Sequence, residues 1–404
     1  MKSILHDVLR KAVKLTARQN LVEATRVIQT ALSGESRRKD AQFKSVDARE
    51  HVRPTKPAAA DIGSAFAQLQ KGLAAPHASA EGARKALPMG EVLTLLHKGV
   101  VPGLAHGLKP HLRPQPEVPT PKGAQFLSRT YSCAAGSRDY KLFVPSKMKS
   151  KAKGRKLPLI VMLHGCTQNP DDFALGTGMN ELAEERGCFV AYPRQSTSSN
   201  QMACWNWFNV KDQTRDSGEP SILAGMTREI MAEFNVDSDR VFVAGLSAGG
   251  AMAAILGATY PDLFHAAGIH SGLPYGAAAD VVSAFSSMRN GASIEAVLAA
   301  EMSVRTIVFH GDADRTVHPS NGELIVAAAR AGLDTAVEKT QKGRAAGGVA
   351  YKRIIIADSR GAPQVEYWAI EGMGHAWSGG HPEGSYTNPR GPDASREMLR
   401  FFLA

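Results

Sequence analysis

The chain has 404 residues, 43% hydrophobic and 21% charged, so it can bury a sizeable core and disorder cannot dominate it. No apolar run approaches the ~18 residues of a membrane-crossing helix, and residues 1–34 lack the continuous apolar stretch and small-residue cleavage site of a secretory leader, so a cytoplasmic protein without a transmembrane segment is expected. Four cysteines (Cys133, Cys166, Cys188 and Cys204) exclude a disulfide scaffold, and no pair of them has metal-ligand spacing, so no metal is expected.

The net charge of +10 is uneven along the chain. Residues 1–122 carry 20 Lys and Arg against 10 Asp and Glu, whereas residues 123–404 carry 28 of each. The first segment opens with helical periodicity. Ile4, Leu5, Val8, Leu9, Ala12 and Val13 make one apolar stripe, edged by Lys2, Arg10, Lys11, Lys14 and Arg18. A second helix is expected from Asn20, with Glu23 as capping partner and Gly34 as stop. Residues 35–57 are polar and basic, and two short helical stretches follow near 62–73 and 91–100. Six prolines from Pro102 to Pro121 then form a stiff spacer. Residues 1–122 thus read as a basic helical, partly disordered arm with a Pro-rich linker, either a dispensable extension or a binder of an anionic surface. Without aromatic interleaving or a nucleic-acid motif, nucleic acid is not expected as a partner.

From residue 123 strands and helices alternate. Residues 126–133 and 138–144 read as an antiparallel pair, and 157–163 as a strand covered on both faces. Helix over 171–186, strand over 188–192 and helix over 221–234 lead to a strand ending in Ala244. Further strands are expected at 266–270, 305–310, 352–357 and 364–370, and helices at 279–288, 294–300, 320–331 and 394–402. The pattern predicts an α/β fold with a three-layer, mostly parallel sheet, whose ligands bind beyond the carboxyl ends of the strands.

The stretch Gly245-Leu246-Ser247-Ala248-Gly249-Gly250 sits between a β-prone run and a helix-prone one. This is the strand, sharp turn and helix of a nucleophile elbow, which holds its serine in strained geometry and tolerates only small neighbours. Such a serine needs a base, an acid that orients the base, and donors for an oxyanion. In chain order the acid comes next, and His310-Gly311-Asp312-Ala313-Asp314 supplies two aspartates after a strand. Asp314 is preferred, because residues directly after a strand make the turn and a later one reaches across; Asp312 is the alternative. The base is assigned to His375 in Gly372-Met373-Gly374-His375-Ala376-Trp377, with His381 as rival. One oxyanion donor is the N–H of Ala248, and the other is that of Cys166 in His164-Gly165-Cys166-Thr167-Gln168. A thiol nucleophile at Cys166 is less well served by a histidine than Ser247. Trp205 and Trp377 are candidate apolar walls for a substrate.

These motifs, together with Cys204-Trp205-Asn206-Trp207, resemble the polyhydroxybutyrate depolymerase family of esterases, which also includes feruloyl and acetylxylan esterase-like members, over roughly the last 280 residues. The resemblance implies an α/β-hydrolase fold and ester hydrolysis without cofactor by Ser247, His375 and Asp314. It also places Cys166 and Cys204 in two site-forming loops, close enough to bridge in an oxidising compartment. The family's usual secreted form implies an extracellular location as the alternative to the cytoplasm. The implied substrate is a small ester or a polyester, with the basic arm as a contact to a polymer granule. Two other readings are an acyltransferase with the same triad and a surface-binding protein with a vestigial hydrolase domain.

Overall fold

The structure, a computed structural model, describes residues 118–149, 156–294, 302–333 and 336–404. The helical stretches expected at 4–34, 62–73, 91–100 and, but for its first residue, 294–300 lie outside the described residues, as does nearly all of the basic arm.

Among the described residues ten strands form one sheet. They are β1 (Gln125–Cys133), β2 (Gly136–Val144), β3 (Leu157–Leu163), β4 (Phe189–Pro193), β5 (Val236–Leu246), β6 (Ala266–His270), β7 (Arg305–Gly311), β8 (Val337–Arg344), β9 (Ala350–Ala357) and β10 (Pro363–Ile370), in the spatial order β1-β2-β4-β3-β5-β6-β7-β10-β9-β8. The six central strands run parallel, and antiparallel strands close both sides. This is the mostly parallel α/β sheet that the alternating pattern predicts. Every residue of β3, β4 and β6 is buried, because crossover helices cover both faces.

On one face Ile160, Met162, Phe242 and Phe309 meet apolar residues of α1 (Pro170–Thr177), α2 (Met179–Arg186) and α7 (Ala394–Leu403). Phe242 stacks on Phe402 of α7 at 4.9 Å. The alternate side chains turn to the other face, where α3 (Gly218–Glu233), α4 (Ala248–Thr259) and α6 (Ser320–Ala331) lie. A further helix, α5 (Val281–Asn290), starts with a capping box in which Asp280 and Ser283 exchange hydrogen bonds.

Three local differences from the expected elements have physical causes. The single helix expected over 171–186 is two helices, because Gly178 takes a left-handed conformation (φ 59°) that ends α1 and begins α2. Strand β5 begins at Val236, well before its apolar run, since Leu157 of β3 pairs with it there. Strand β8, Val-Glu-Lys-Thr-Gln-Lys-Gly-Arg, has no apolar alternation and is mostly exposed; pairing along β9 makes it a strand, and its lysines suit an edge.

The register aligns the ends that carry the site. Leu163 pairs with Gly245, Leu246 with His270, and Gly311 with Ile370. The chain therefore leaves β3, β5, β6, β7 and β10 at one edge of the sheet, toward Cys166, Ser247, Ser271, Asp314 and His375.

Candidate active site

Ser247 stands between β5 and α4 with φ 57° and ψ −118°, a left-handed backbone rare for a residue with a side chain. Small neighbours are required by contact. A Cβ at Gly249 would collide with the Leu163 carbonyl, and one at Gly245 with the Gly249 backbone. The Ser247 N–H donates to the His270 carbonyl at 2.9 Å, which fixes the elbow against β6.

His375 and Asp314 are brought together from different loops, with Nδ1 2.7 Å from Oδ2. The other oxygen of Asp314 accepts the N–H groups of Thr316 and Val317, both at 2.9 Å. Burial raises the Asp314 carboxyl, but hydrogen bonds from His310 and His375 and their charges outweigh it and hold it well below the usual carboxylate range. An ionised Asp314 only accepts, so Nδ1 of His375 carries the proton in this contact, and in the neutral imidazole it is then Nε2 that keeps the lone pair. Asp312 is turned elsewhere: it is exposed and accepts the Gly372 N–H at 2.7 Å. His381 is exposed beside Glu383, with its backbone on Gly176.

Cys166 lies in the turn after β3. Its sulfur is bonded to Cys204 across 38 residues, with the Cα atoms 4.2 Å apart. The Thr167 N–H donates to the Met202 carbonyl at 2.7 Å, so the two loops are joined twice. Gln168 braces the same turn: its Oε1 accepts the Gly165 N–H at 2.9 Å, and its Nε2 donates to Asp172 at 2.9 Å and to the Ser385 carbonyl at 3.1 Å. Neither the Cys166 nor the Ala248 N–H has an acceptor among the described residues. Ser247 and His375 share no hydrogen bond there either, a contact often long before substrate binds.

Three histidines to which the sequence assigns no role support this edge, and each sits at the end of an apolar parallel strand. His164 follows β3 and is fully buried. Its Nε2 accepts the Gln195 N–H at 3.1 Å, its Nδ1 donates to the Gly165 carbonyl at 2.8 Å, and burial lowers its pKa to about 4. His270 closes β6, stacked between Phe309 and Trp377, and burial holds it well below the ordinary histidine range. His310, in β7, donates from Nε2 to the Val317 carbonyl at 2.9 Å, with Asp314 Oδ2 3.5 Å away.

The two tryptophans do not line a substrate wall as expected. Trp205 is 0% exposed and Trp377 1%. Each indole N–H is spent internally, Trp205 on the His164 carbonyl at 3.1 Å and Trp377 on Ser395 Oγ at 3.0 Å. Trp205 holds His164 through its satisfied indole donor, and Trp377 holds His270 by stacking on it at 5.1 Å. Among the described residues no group of His, Cys, Asp and Glu is placed to hold a metal ion.

Residues 139–348, half of the chain, match the esterase PHB depolymerase family. The chain belongs to that family. Poly(3-hydroxyalkanoate) depolymerase C of Paucimonas lemoignei is 33% identical over 245 residues, which are 57% of this chain and 56% of that protein. Acetylxylan esterase A of Aspergillus oryzae is 30% identical over 199 residues, 45% of this chain and 62% of that one. The chain thus spans about half the length of the curated relatives it matches. Among solved structures, acetyl xylan esterase from Aspergillus awamori superposes with a TM-score of 0.54 over 69% of this chain and 98% of its own, at 20% identity. That likeness carries the α/β-hydrolase fold to this family member.

Proposed function

We propose that the chain is a serine esterase that hydrolyses carboxylic esters through an acyl-enzyme. The observation that carries this reading is the 2.7 Å contact between His375 and Asp314, at the strand edge that also presents Ser247 on a strained elbow. His375 Nε2 takes the Ser247 proton as Oγ attacks the ester carbonyl. Asp314 holds the imidazole with its proton on Nδ1 and stabilises the imidazolium that forms. The Cys166 and Ala248 N–H groups receive the oxyanion, each contributing on the order of 3 kcal/mol. His375 then protonates the leaving alcohol, and water releases the acyl group by the same steps.

Family membership and the depolymerase relative support esters of hydroxyalkanoic acids, as polymer or oligomer; the acetylxylan relatives support small acyl esters. The disulfide supports an oxidising compartment over the cytoplasm. The basic segment 1–122 is the part proposed to meet an anionic surface or granule, through its charge alone. Wild-type protein should hydrolyse p-nitrophenyl butyrate, and Ser247→Ala should lose that activity. An active Ser247→Ala variant would end the serine mechanism. Pelleting of the full chain with anionic vesicles should weaken as salt approaches 1 M, where the Debye length is about 3 Å. Pelleting that ignores salt would remove the surface role.

A further inference from the structure

Beside the oxyanion turn lies a cleft of about 500 Å³ with Thr167 and Gln168 on one wall, Gln195 and Ser196 on another, and Met202 and Ala203 on a third. A second hollow of about 330 Å³ continues from it across β1 and β2, and Asp139 and Arg194 border both. The first hollow, a groove that starts a residue away from Cys166, thus adjoins the second at these two residues.

The walls are cross-linked from below. Glu219, 4% exposed at the start of α3, accepts from Gln195 Nε2, from Asn206 N and Nδ2 (both at 2.8 Å), and from Arg138 at 3.1 Å. Gln195 Nε2 also reaches the Cys204 carbonyl at 2.9 Å, and the disulfide carries the link to Cys166. A buried carboxylate with this many donors fixes geometry more than it adds stability. Two non-glycine residues with positive φ, Thr167 (66°) and Ala203 (49°), lie in the walls, and the Thr167 hydroxyl meets that of Tyr386 at 3.3 Å, in the loop beyond His375. The groove is thus rigid, polar and continuous with the loops of the catalytic edge.

Its charges are mostly paired. Arg129 is held by Glu233 and Lys141 by Asp171 at 3.4 Å, while the Asp139 carboxylate, which accepts the Thr130 hydroxyl at 2.7 Å, has no ion pair among the described residues. Arg194 differs: its backbone N–H donates to the Asp139 carbonyl, while its exposed guanidinium has no ion-pair or hydrogen-bond partner among the described residues. A guanidinium offers a planar fork of donors that matches a carboxylate.

Resting on the esterase reading, we infer that Arg194 makes this groove a subsite for esters that carry a free carboxylate on the part extending past Thr167. Short hydroxyacyl oligomers with a terminal carboxylate have that chemistry, and neutral esters do not.

Two matched substrate pairs test this. 3-Butyryloxybutyrate and its carboxamide place the charge on the alcohol side; monoethyl succinate and ethyl succinamate place it on the acyl side. The readout is the ratio of kcat/KM for the charged to the neutral member, which cancels any general loss of activity. In Arg194→Gln that ratio should fall about tenfold or more in one pair, while Arg194→Lys keeps part of it. A ratio unchanged in both pairs overturns the subsite and leaves the esterase reading standing. Failure of the wild type to turn over any of the four, or p-nitrophenyl butyrate, overturns the esterase reading and the subsite together.

Discussion

The backbone N–H of Ser378 donates to Nε2 of His270 at 3.0 Å, and this bond ties the loop carrying His375 to the strand beside the elbow. The carbonyl of the same histidine accepts the Ser247 N–H. One buried residue thus joins the Ser247 elbow, through its carbonyl, to the His375 loop, through its ring.

His270→Leu should therefore act through position. It leaves the buried Ser378 N–H without an acceptor, a loss of about 1–3 kcal/mol in local stability. It should lower kcat for p-nitrophenyl butyrate about tenfold or more while KM moves little. His270→Gln, which can still accept, should recover part of it. Equal loss in both variants would show that the ring matters for packing alone.

The two aspartates after β7 have different partners, and single substitutions separate them. Asp314→Asn loses the ionised acceptor and allows the wrong His375 tautomer, so kcat should fall by several orders of magnitude. Asp312→Asn affects a turn contact to Gly372 and should stay within about twofold. Steady-state kinetics of both variants decide it, and a crippling Asp312→Asn would reverse the assignment of the acid.

Much of this edge was legible in the sequence because it is written in short-range terms. Strand β3 is a seven-residue apolar run, and the elbow glycines are forced by backbone collisions that a local pattern records. The order Ser247, Asp314, His375 follows strand succession. What was not legible depends on distant partners. Nothing local marks Glu219 as buried: its burial comes from Gln195, Asn206 and Arg138 arriving from three other segments. The indoles of Trp205 and Trp377, candidate apolar walls by sequence, are buried because His164 and Ser395, distant in the chain, accept their N–H groups. The histidines at the ends of β3, β6 and β7 do carry a local signal, a polar residue closing an apolar strand.

The Cys166–Cys204 bond closes a loop with a sequence separation of 38 residues, which in a chain-entropy account stabilises the fold by about 4 kcal/mol. Reduction should lower Tm and slow ester hydrolysis, since the turn bearing the Cys166 N–H loses one of its two ties to the Cys204 loop. Of the free thiols, Cys133 is partly exposed, whereas Cys188 is buried and pushed up to about 12. A thiol reagent should thus label one cysteine per native chain and three after reduction. Full activity with three labelled thiols would show that the Thr167–Met202 bond and Gln168 hold the turn without the disulfide.

Acid should weaken the fold through its neutral histidines. His164 has its pKa lowered to about 4 from an ordinary 6.5, so between those values the unfolded chain binds more protons. Its contribution is complete above pH 6.5 and is lost as pH falls toward 4. For this residue that amounts to about 2 kcal/mol between pH 7 and pH 5. His270 acts in the same direction. Glu219 opposes them: burial raises its carboxyl, so ionising it weakens the fold as pH rises from its ordinary 4.5. Asp314, held below 3.8, stays ionised throughout and contributes no slope. His164→Gln isolates the histidine, because an amide oxygen can still accept the Gln195 N–H but does not titrate. Urea unfolding of wild type and variant at pH 7 and pH 5 should show the wild type losing about 2 kcal/mol more than the variant. Parallel losses in the two would mean that His164 is already protonated in the folded protein at pH 5, and that the acid sensitivity lies elsewhere.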